Sequence, residues 1–272
     1  ADDIVEIIAF DVFSVADTVS KSAGGTFDGN ITAAGTITVT GNADLNGDLD
    51  VDGTTNLDAV DVDGAVNFAA DVTFADGADI ITASAGNNNT RVGTNAGFSI
   101  ASGGNSNVCI GDEAGRSLTT GDNNIAIGHE ALYSENAHGQ NIAIGYRSLK
   151  ALDAGAEANN VGIGYLAGQV ISTGTNNTII GALSGDSLTE GGNNTALGFN
   201  SLGADTKGSR NTAIGYNTLL VQNFANATNS YNVAMGHDAG REITTGTHNT
   251  IIGSLAGDAM QTGSANTFIG IA

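Results

Sequence analysis

Residues 211–219 read NTAIGYNTL, and close variants recur as NVCIGDEAG from Asn107, NIAIGHEAL from Asn124 and NTIIGSLAG from Asn249. Aligned on the Asn of N-x-x-[aliphatic]-G, the units start at Asn89, Asn107, Asn124, Asn141, Asn160, Asn177, Asn194, Asn211, Asn232, Asn249 and Asn266. The spacings are 18, 17, 17, 19, 17, 17, 17, 21, 17 and 17, so the modal unit is 17 residues. Such a unit is too short for two packed helices, and Gly with β-branched residues opposes helix formation. It suits one turn of a parallel β-solenoid, with two short strands and two bends per coil. The first strand is the phrase itself, Thr212-Ala213-Ile214, closed by Gly215. A second Gly stands fourteen residues after the Asn in eight of the ten complete units and marks the return bend. In-register stacking predicts an axial ladder of Asn amides.

A covariation inside the units predicts the core. Six carry small-Gly at positions seven and eight after the Asn, and all six have Ile, Leu or Met at position eleven: Ile100, Leu118, Ile171, Leu188, Ile243 and Met260. The other four have Leu at position eight (Leu132, Leu149, Leu202, Leu219), and three of these have a polar residue at position eleven: Glu135, Asp205 and Gln222. One core slot per coil, filled from either position, explains the exchange, because a void and a doubled side chain are both costly. On this reading Gln222 leaves the slot to Leu219. The exception is the unit from Asn141, with Leu149 and Leu152 together. The two longest units, from Asn141 and Asn211, are expected to extrude loops on one edge of a stack about 50 Å long at ~4.8 Å per coil.

A different repeat lies upstream. GNITAA, GTITVT, GNADLN, GDLDVD and GTTNLD place Gly29, Gly35, Gly41, Gly47 and Gly53 at a period of six, with alternating apolar residues between them. This is strand periodicity. Half of each strand is polar, so one chain encloses a poor core, and three copies around one axis enclose a better one. Residues 25–82 are therefore expected to form a trimeric β-helical shaft, with a single-chain left-handed hexapeptide helix as the alternative. Residues 1–24 contain DIVEIIAFDVFSVADTV, which follows neither period and is apolar enough to need a docking partner. The solenoid is assigned to residues 83–272.

Composition agrees with an elongated all-β protein. Of 272 residues 40 are Gly, Pro and Trp are absent and aromatics are 5%, which suits a thin stack better than a wide core. The net charge is −21, of which residues 1–85 hold 16 acids against Lys21. That surface repels phosphate backbones and anionic lipid, so nucleic acid is not an expected partner. No apolar run is long enough for a transmembrane helix. The chain begins without Met, which suggests processing or a fragment. Cys109 occupies the slot that Ala126 fills one unit later and reads as a small strand residue.

The phrase N-[TIV]-A-[IL]-G-[YH]-x-[AS]-[LG] resembles repeats of phage tail fibres and the head coils of YadA-like trimeric autotransporter adhesins, over residues 89–270. The segment GNITAAGTITVTGNADLNGDLDVDG is similar to tail-fibre shafts. The resemblance implies a parallel homotrimeric rod displayed outside a cell or on a virion, contacting a surface. No outer-membrane β-barrel anchor or C-terminal intramolecular chaperone is legible, and the coil length differs from that of adhesin heads. Binding specificity in these families is not carried by the repeat, so the resemblance transfers no site residues.

Chemical motifs are sparse. DLDVDGTTNLDA, residues 48–59, begins like a calcium loop but has Ala59 in place of the closing Glu. It reads as a solvated Asp row, with weak Ca²⁺ binding by the Asp-rich shaft as the only cofactor expectation. No nucleophile, base and orienting acid assemble into a catalytic group, and no enzyme activity is expected. Position five carries His129, Tyr146, Tyr165, Phe199, Tyr216 and His237, a stripe of flat side chains that either pack on one another or offer a platform for sugar rings. The sequence thus predicts a non-enzymatic, extracellular or virion-surface fibre for display and attachment, with a glycan or protein receptor. The alternatives are a secreted subunit that polymerises end to end through residues 4–19, and a carbohydrate-binding or carbohydrate-active fibre.

Overall fold

A computed structural model describes residues 85–271; the N-terminal segment, the hexapeptide shaft and the Asp row of residues 48–59 lie outside the described residues. Each unit is one coil, numbered 1 to 11 from Asn89 to Asn266. The strands are β1 (Thr90–Val92), β2 (Val108–Ile110), β3 (Ile125–Ile127), β4 (Ile142–Ile144), β5 (Val161–Ile163), β6 (Thr178–Ile180), β7 (Thr195–Leu197), β8 (Gly208–Ser209), β9 (Thr212–Ile214), β10 (Thr228–Asn229), β11 (Val233–Met235), β12 (Thr250–Ile252) and β13 (Thr267–Ile269). Eleven of them form a single parallel sheet in which equivalent residues pair, for example Thr178 with Thr195 and Ile179 with Ala196. The described chain is an all-β parallel solenoid.

The second strand expected in every coil is absent from most of them. Only β8 and β10 pair on the return side, between coils 7 and 8. Elsewhere the return path is built from left-handed residues: positions six and eight have φ near +55° throughout, as at Leu183 (57°) and Gly185 (52°). A chain turned this often cannot run extended, yet the coils stay hydrogen-bonded: the Leu183 N–H donates to the Tyr165 carbonyl (2.9 Å) and the Gly185 N–H to the Ser201 carbonyl (2.9 Å).

Two backbone constraints bound each strand. The residue before every Asn is left-handed, from Tyr231 at 49° to Arg210 at 66°, which favours the Asn found there in five coils, such as Asn176 and Asn193. The Gly at position four has φ between 125° and 141°, and a Cβ on Gly198 would stand 2.3 Å from the Gly215 carbonyl oxygen of the next coil. Conformation and close stacking both require glycine there. At position fourteen the reason is stacking alone for Gly121, Gly174, Gly191 and Gly246: Gly191 has ordinary φ, but a Cβ would meet the Gly208 oxygen at 2.1 Å, whereas Gly103 has space around it and a φ of 112°. Gly155 departs from this pattern, since it lies in the lengthened part of coil 4 with open space around it.

The Asn ladder exists but is wired differently from an amide-to-amide stack. At every step the side-chain oxygen of one Asn accepts the backbone N–H of the next, as from Asn177 to Asn160 (2.9 Å) and Asn194 to Asn177 (3.0 Å). The amide nitrogen usually turns across its own coil to the return bend, as from Asn177 Nδ2 to the Gly191 carbonyl (3.0 Å). Direct amide-to-amide contacts occur at some steps only, such as Asn249 to Asn232 (3.1 Å). One side chain thus ties strand to strand and front to back.

The exchange between positions eight and eleven has the steric basis the sequence predicts. Position eight is left-handed whether it is Gly or Leu, and a Cβ added to Gly168 or Gly240 would stand 2.8 or 2.9 Å from Cδ1 of Ile171 or Ile243. Both positions therefore address one volume. The expectation that polar residues at position eleven leave it needs correction: Glu135, Asp205 and Gln222 are all fully buried. In coils 7 and 8 they form a network, with Gln222 Nε2 donating to Asp205 Oδ2 (2.6 Å) and Asn232 Nδ2 donating to Gln222 Oε1 (2.7 Å). The coil with two leucines is also explained. Leu149 and Leu152 are both fully buried, and room comes from Gly162 in the next strand, where a Cβ would stand 2.6 Å from Leu149 Cγ and 2.7 Å from Ser148 Oγ.

Cys109 is fully buried in the strand column that Ala126 and Ala143 continue. Burial pushes its thiol up to about 11, against a smaller lowering by Arg91. The lengthened parts of coils 4 and 8 both follow position eleven, as exposed residues 155–157 and 225–227, with Phe224 buried beneath the second.

Candidate functional site

Along each three-residue strand the middle side chain points inward and the outer two point away from the core. One of the two outward columns is apolar throughout and the other is mixed, with Thr in six of the eleven coils. The first is Thr, Val or Ile in every coil. The third is Val92, Ile110, Ile127, Ile144, Ile163, Ile180, Leu197, Ile214, Met235, Ile252 and Ile269, each half-buried or exposed. Equivalent residues pair across the sheet, so these side chains form two unbroken columns, ~7 Å apart and about 50 Å long.

The position-five stripe runs beyond the Gly bend. His129, Tyr146 and Tyr165 stack at centroid separations of 5.4 Å with planes 11° apart. Phe199, Tyr216 and His237 stack at 5.4 and 5.1 Å. The six predicted residues thus come together as two triplets, and Ala182 in coil 6 separates them. The stacking covers ring faces and leaves edges to solvent, with Tyr165 53% and Phe199 43% exposed. Tyr165 and Phe199, the inner rings of the two triplets, have no aromatic neighbour on the Ala182 side, so a flat ligand stacking on a ring face meets the stripe there.

Sequence reading missed two further columns. Tyr231 and His248 each precede an Asn, and their rings lie 5.1 Å apart with Arg210 over Tyr231 at 5.6 Å. Their shared register was the available signal. At position nine Arg116 and Lys150 lie on either side of Tyr133 in the stack, each 5.5 Å from its ring centroid. Glu130 takes Lys150 (2.9 Å) and Arg147; partial burial works against its ionisation, but these two partners hold the carboxyl below its usual range. These contacts brace side chains and assemble no nucleophile with a base.

Buried acids are the remaining chemistry. Desolvation raises Asp205 and Glu135, against the hydrogen bonds each accepts. Ligand atoms of Glu135, His138 and Asp153 lie within 4.8 Å of one another, the one such group among the described residues. No helix among those residues is long and apolar enough to cross a membrane. Comparison of the chain with protein-family models, curated proteins and solved structures found no match in any of the three.

Proposed function

We propose that the chain is a non-enzymatic structural fibre protein for surface display and attachment, assembled as a parallel homotrimer through the outer face of its sheet. The observation that carries this reading is the unbroken aliphatic column from Val92 to Ile269. The two columns, about 50 Å long and roughly 12 Å wide, span ~600 Å², apolar along the whole third-position column and interrupted by Thr in six coils of the other; a continuous apolar strip of this length is of the size that is often functional. Close to ~800 Å² per partner is typical of a specific interface, and three copies with this face turned to a common axis cover one another's columns. Strand register fixes the spacing along the column, so a parallel copy matches it coil for coil. Three-fold closure also suits the expectation for residues 25–82, where one chain alone encloses a poor core. The ring triplets then stand at the rim, as contacts for a cell-surface glycan or protein receptor, in an extracellular or virion setting.

Replacing Ile144 and Ile180 together by Lys tests the interface. The side chains point outward, so the coil should survive with an unchanged circular dichroism spectrum while the assembly dissociates to monomers. An assembly that persists with both lysines in place would contradict the proposed face.

A further inference from the structure

Coils 3 and 4 hold an acid that the solenoid does not satisfy. Glu135 sits at position eleven of coil 3 with its side chain 0% exposed. Its Oε1 accepts the N–H groups of Asn136 and His138, both at 3.1 Å, and lies 3.1 Å from His138 Nδ1. Its Oε2 is buried and has no hydrogen-bond partner.

The molecule supplies its own contrast. Asp205, at the same position in coil 7, has Gln222 one coil further on, donating to Oδ2 at 2.6 Å, while Oδ1 accepts Gly208 N–H at 2.9 Å. In coil 4 the residue at that place is Leu152, fully buried and without a donor. A carboxylate oxygen removed from water and left unserved is costly, so such a group is normally paired, protonated or bound to a cation.

Two features converge on the same point. His138 stands at position fourteen, where eight of the ten complete units have Gly. The next coil is the 19-residue unit, whose Gly155 has swung into open space, so the tight approach that demands Gly elsewhere is relaxed. Asp153, one residue after Leu152, is exposed and completes the group within 4.8 Å. Neither acid is paired with Lys or Arg among the described residues. Donors ~2.0–2.1 Å from a tetrahedral ion stand about 3.3 Å apart, close to the 3.1 Å between Glu135 Oε1 and His138 Nδ1.

We propose that Glu135, His138 and Asp153 bind one divalent transition-metal ion of the zinc class per chain. One imidazole and two carboxylates form an N/O donor set suited to such ions, with water completing the shell. The ion supplies the buried Glu135 carboxylate with the counter-charge the fold does not give it and fastens the lengthened coil 4 to coil 3.

The test is Zn²⁺ titration of the full chain by calorimetry, with Glu135→Gln, His138→Gln and Asp153→Asn beside it. Wild type should take up one tight equivalent and gain thermal stability from it. Each substitution should weaken that equivalent by about tenfold or more, at least the loss seen when an outer-shell partner is removed. Asp153 is exposed, so its variant keeps the fold and remains informative if Glu135→Gln does not. Asp205→Asn should leave the titration unchanged. Absence of a tight equivalent, or one that survives all three substitutions, overturns the proposal and leaves a protonated Glu135 as the explanation of Oε2.

Discussion

Replacing Asn177 by Ala should remove two buried hydrogen bonds with a single side chain. Asn177 is fully buried; its Oδ1 accepts the Asn194 N–H at 3.0 Å, and its Nδ2 donates to the Gly191 carbonyl at 3.0 Å. Its own N–H, bonded to Asn160 Oδ1 at 2.9 Å, survives the change. The Ala variant strands one donor and one acceptor at ~1–3 kcal/mol each, so about 2–6 kcal/mol is expected. Stability of a stacked array is a sum of coil and interface terms, so this loss at coil 6 should also separate the unfolding of coils 1–5 from that of coils 7–11. Asn177→Asp sharpens the test. It keeps the acceptor for Asn194 but sets a buried carboxylate oxygen against the Gly191 carbonyl, which raises its folded pKa above the ordinary ~3.9. Below the ordinary value the neutral acid donates to Gly191; as pH rises toward the folded pKa the variant loses stability, and above it the deficit is constant. The assay is guanidinium unfolding followed by circular dichroism from acid to neutral pH, against wild type and an exposed control, Thr173→Ala. An Ala variant within ~0.5 kcal/mol of wild type, the range of a surface change, or an Asp variant that worsens on acidification, would refute the ladder as a source of stability.

The doubled leucine pair predicts non-additivity: Gly162→Ala should cost ~1–3 kcal/mol by overpacking and Leu149→Ala ~2–5 kcal/mol by cavity formation, while the double variant costs less than the sum. Burial raises the folded pKa of Asp205, so the folded state holds that proton longer than the unfolded chain. Its contribution is full below the ordinary carboxyl value and falls as pH rises through the folded one, so Asp205→Asn should remove that part of the pH slope. Cys109, buried and pushed up to about 11, should resist a maleimide in the native protein and react fully after unfolding.

The solenoid was legible because its signal is a period. Eleven Asn-to-Gly registers define the strands, and the Gly-or-Leu exchange locates the core slot before any coordinate. What the sequence hid is backbone conformation and polar wiring. Leu132, Leu149, Leu202 and Leu219 occupy a left-handed position that Leu seldom adopts, with φ from 47° to 55°, so the return path looked like a strand. A slot already filled by Leu at position eight predicts that Glu135, Asp205 and Gln222 leave it, yet all three are buried. Gln222 meets Asp205 a full coil away, a distance that local pattern does not reveal, and Glu135 turns back on Asn136 and His138 of its own coil. The position-five rings were visible as a column, and their division at Ala182 could have been read from the same column. Tyr231 and His248 share a register too, directly before Asn232 and Asn249, where other coils carry Asn, Ser, Gln, Arg or Ala and no ring column is visible.

The native mass of the wild-type chain in solution tests the central claim most directly. Three copies of a 27.0 kDa chain give about 81 kDa, and a shape-independent measurement such as sedimentation equilibrium should return that value at neutral pH. A monomer of 27.0 kDa would leave the aliphatic face uncovered and contradict the homotrimer. A distribution of ever larger species would contradict it too, in favour of end-to-end polymerisation.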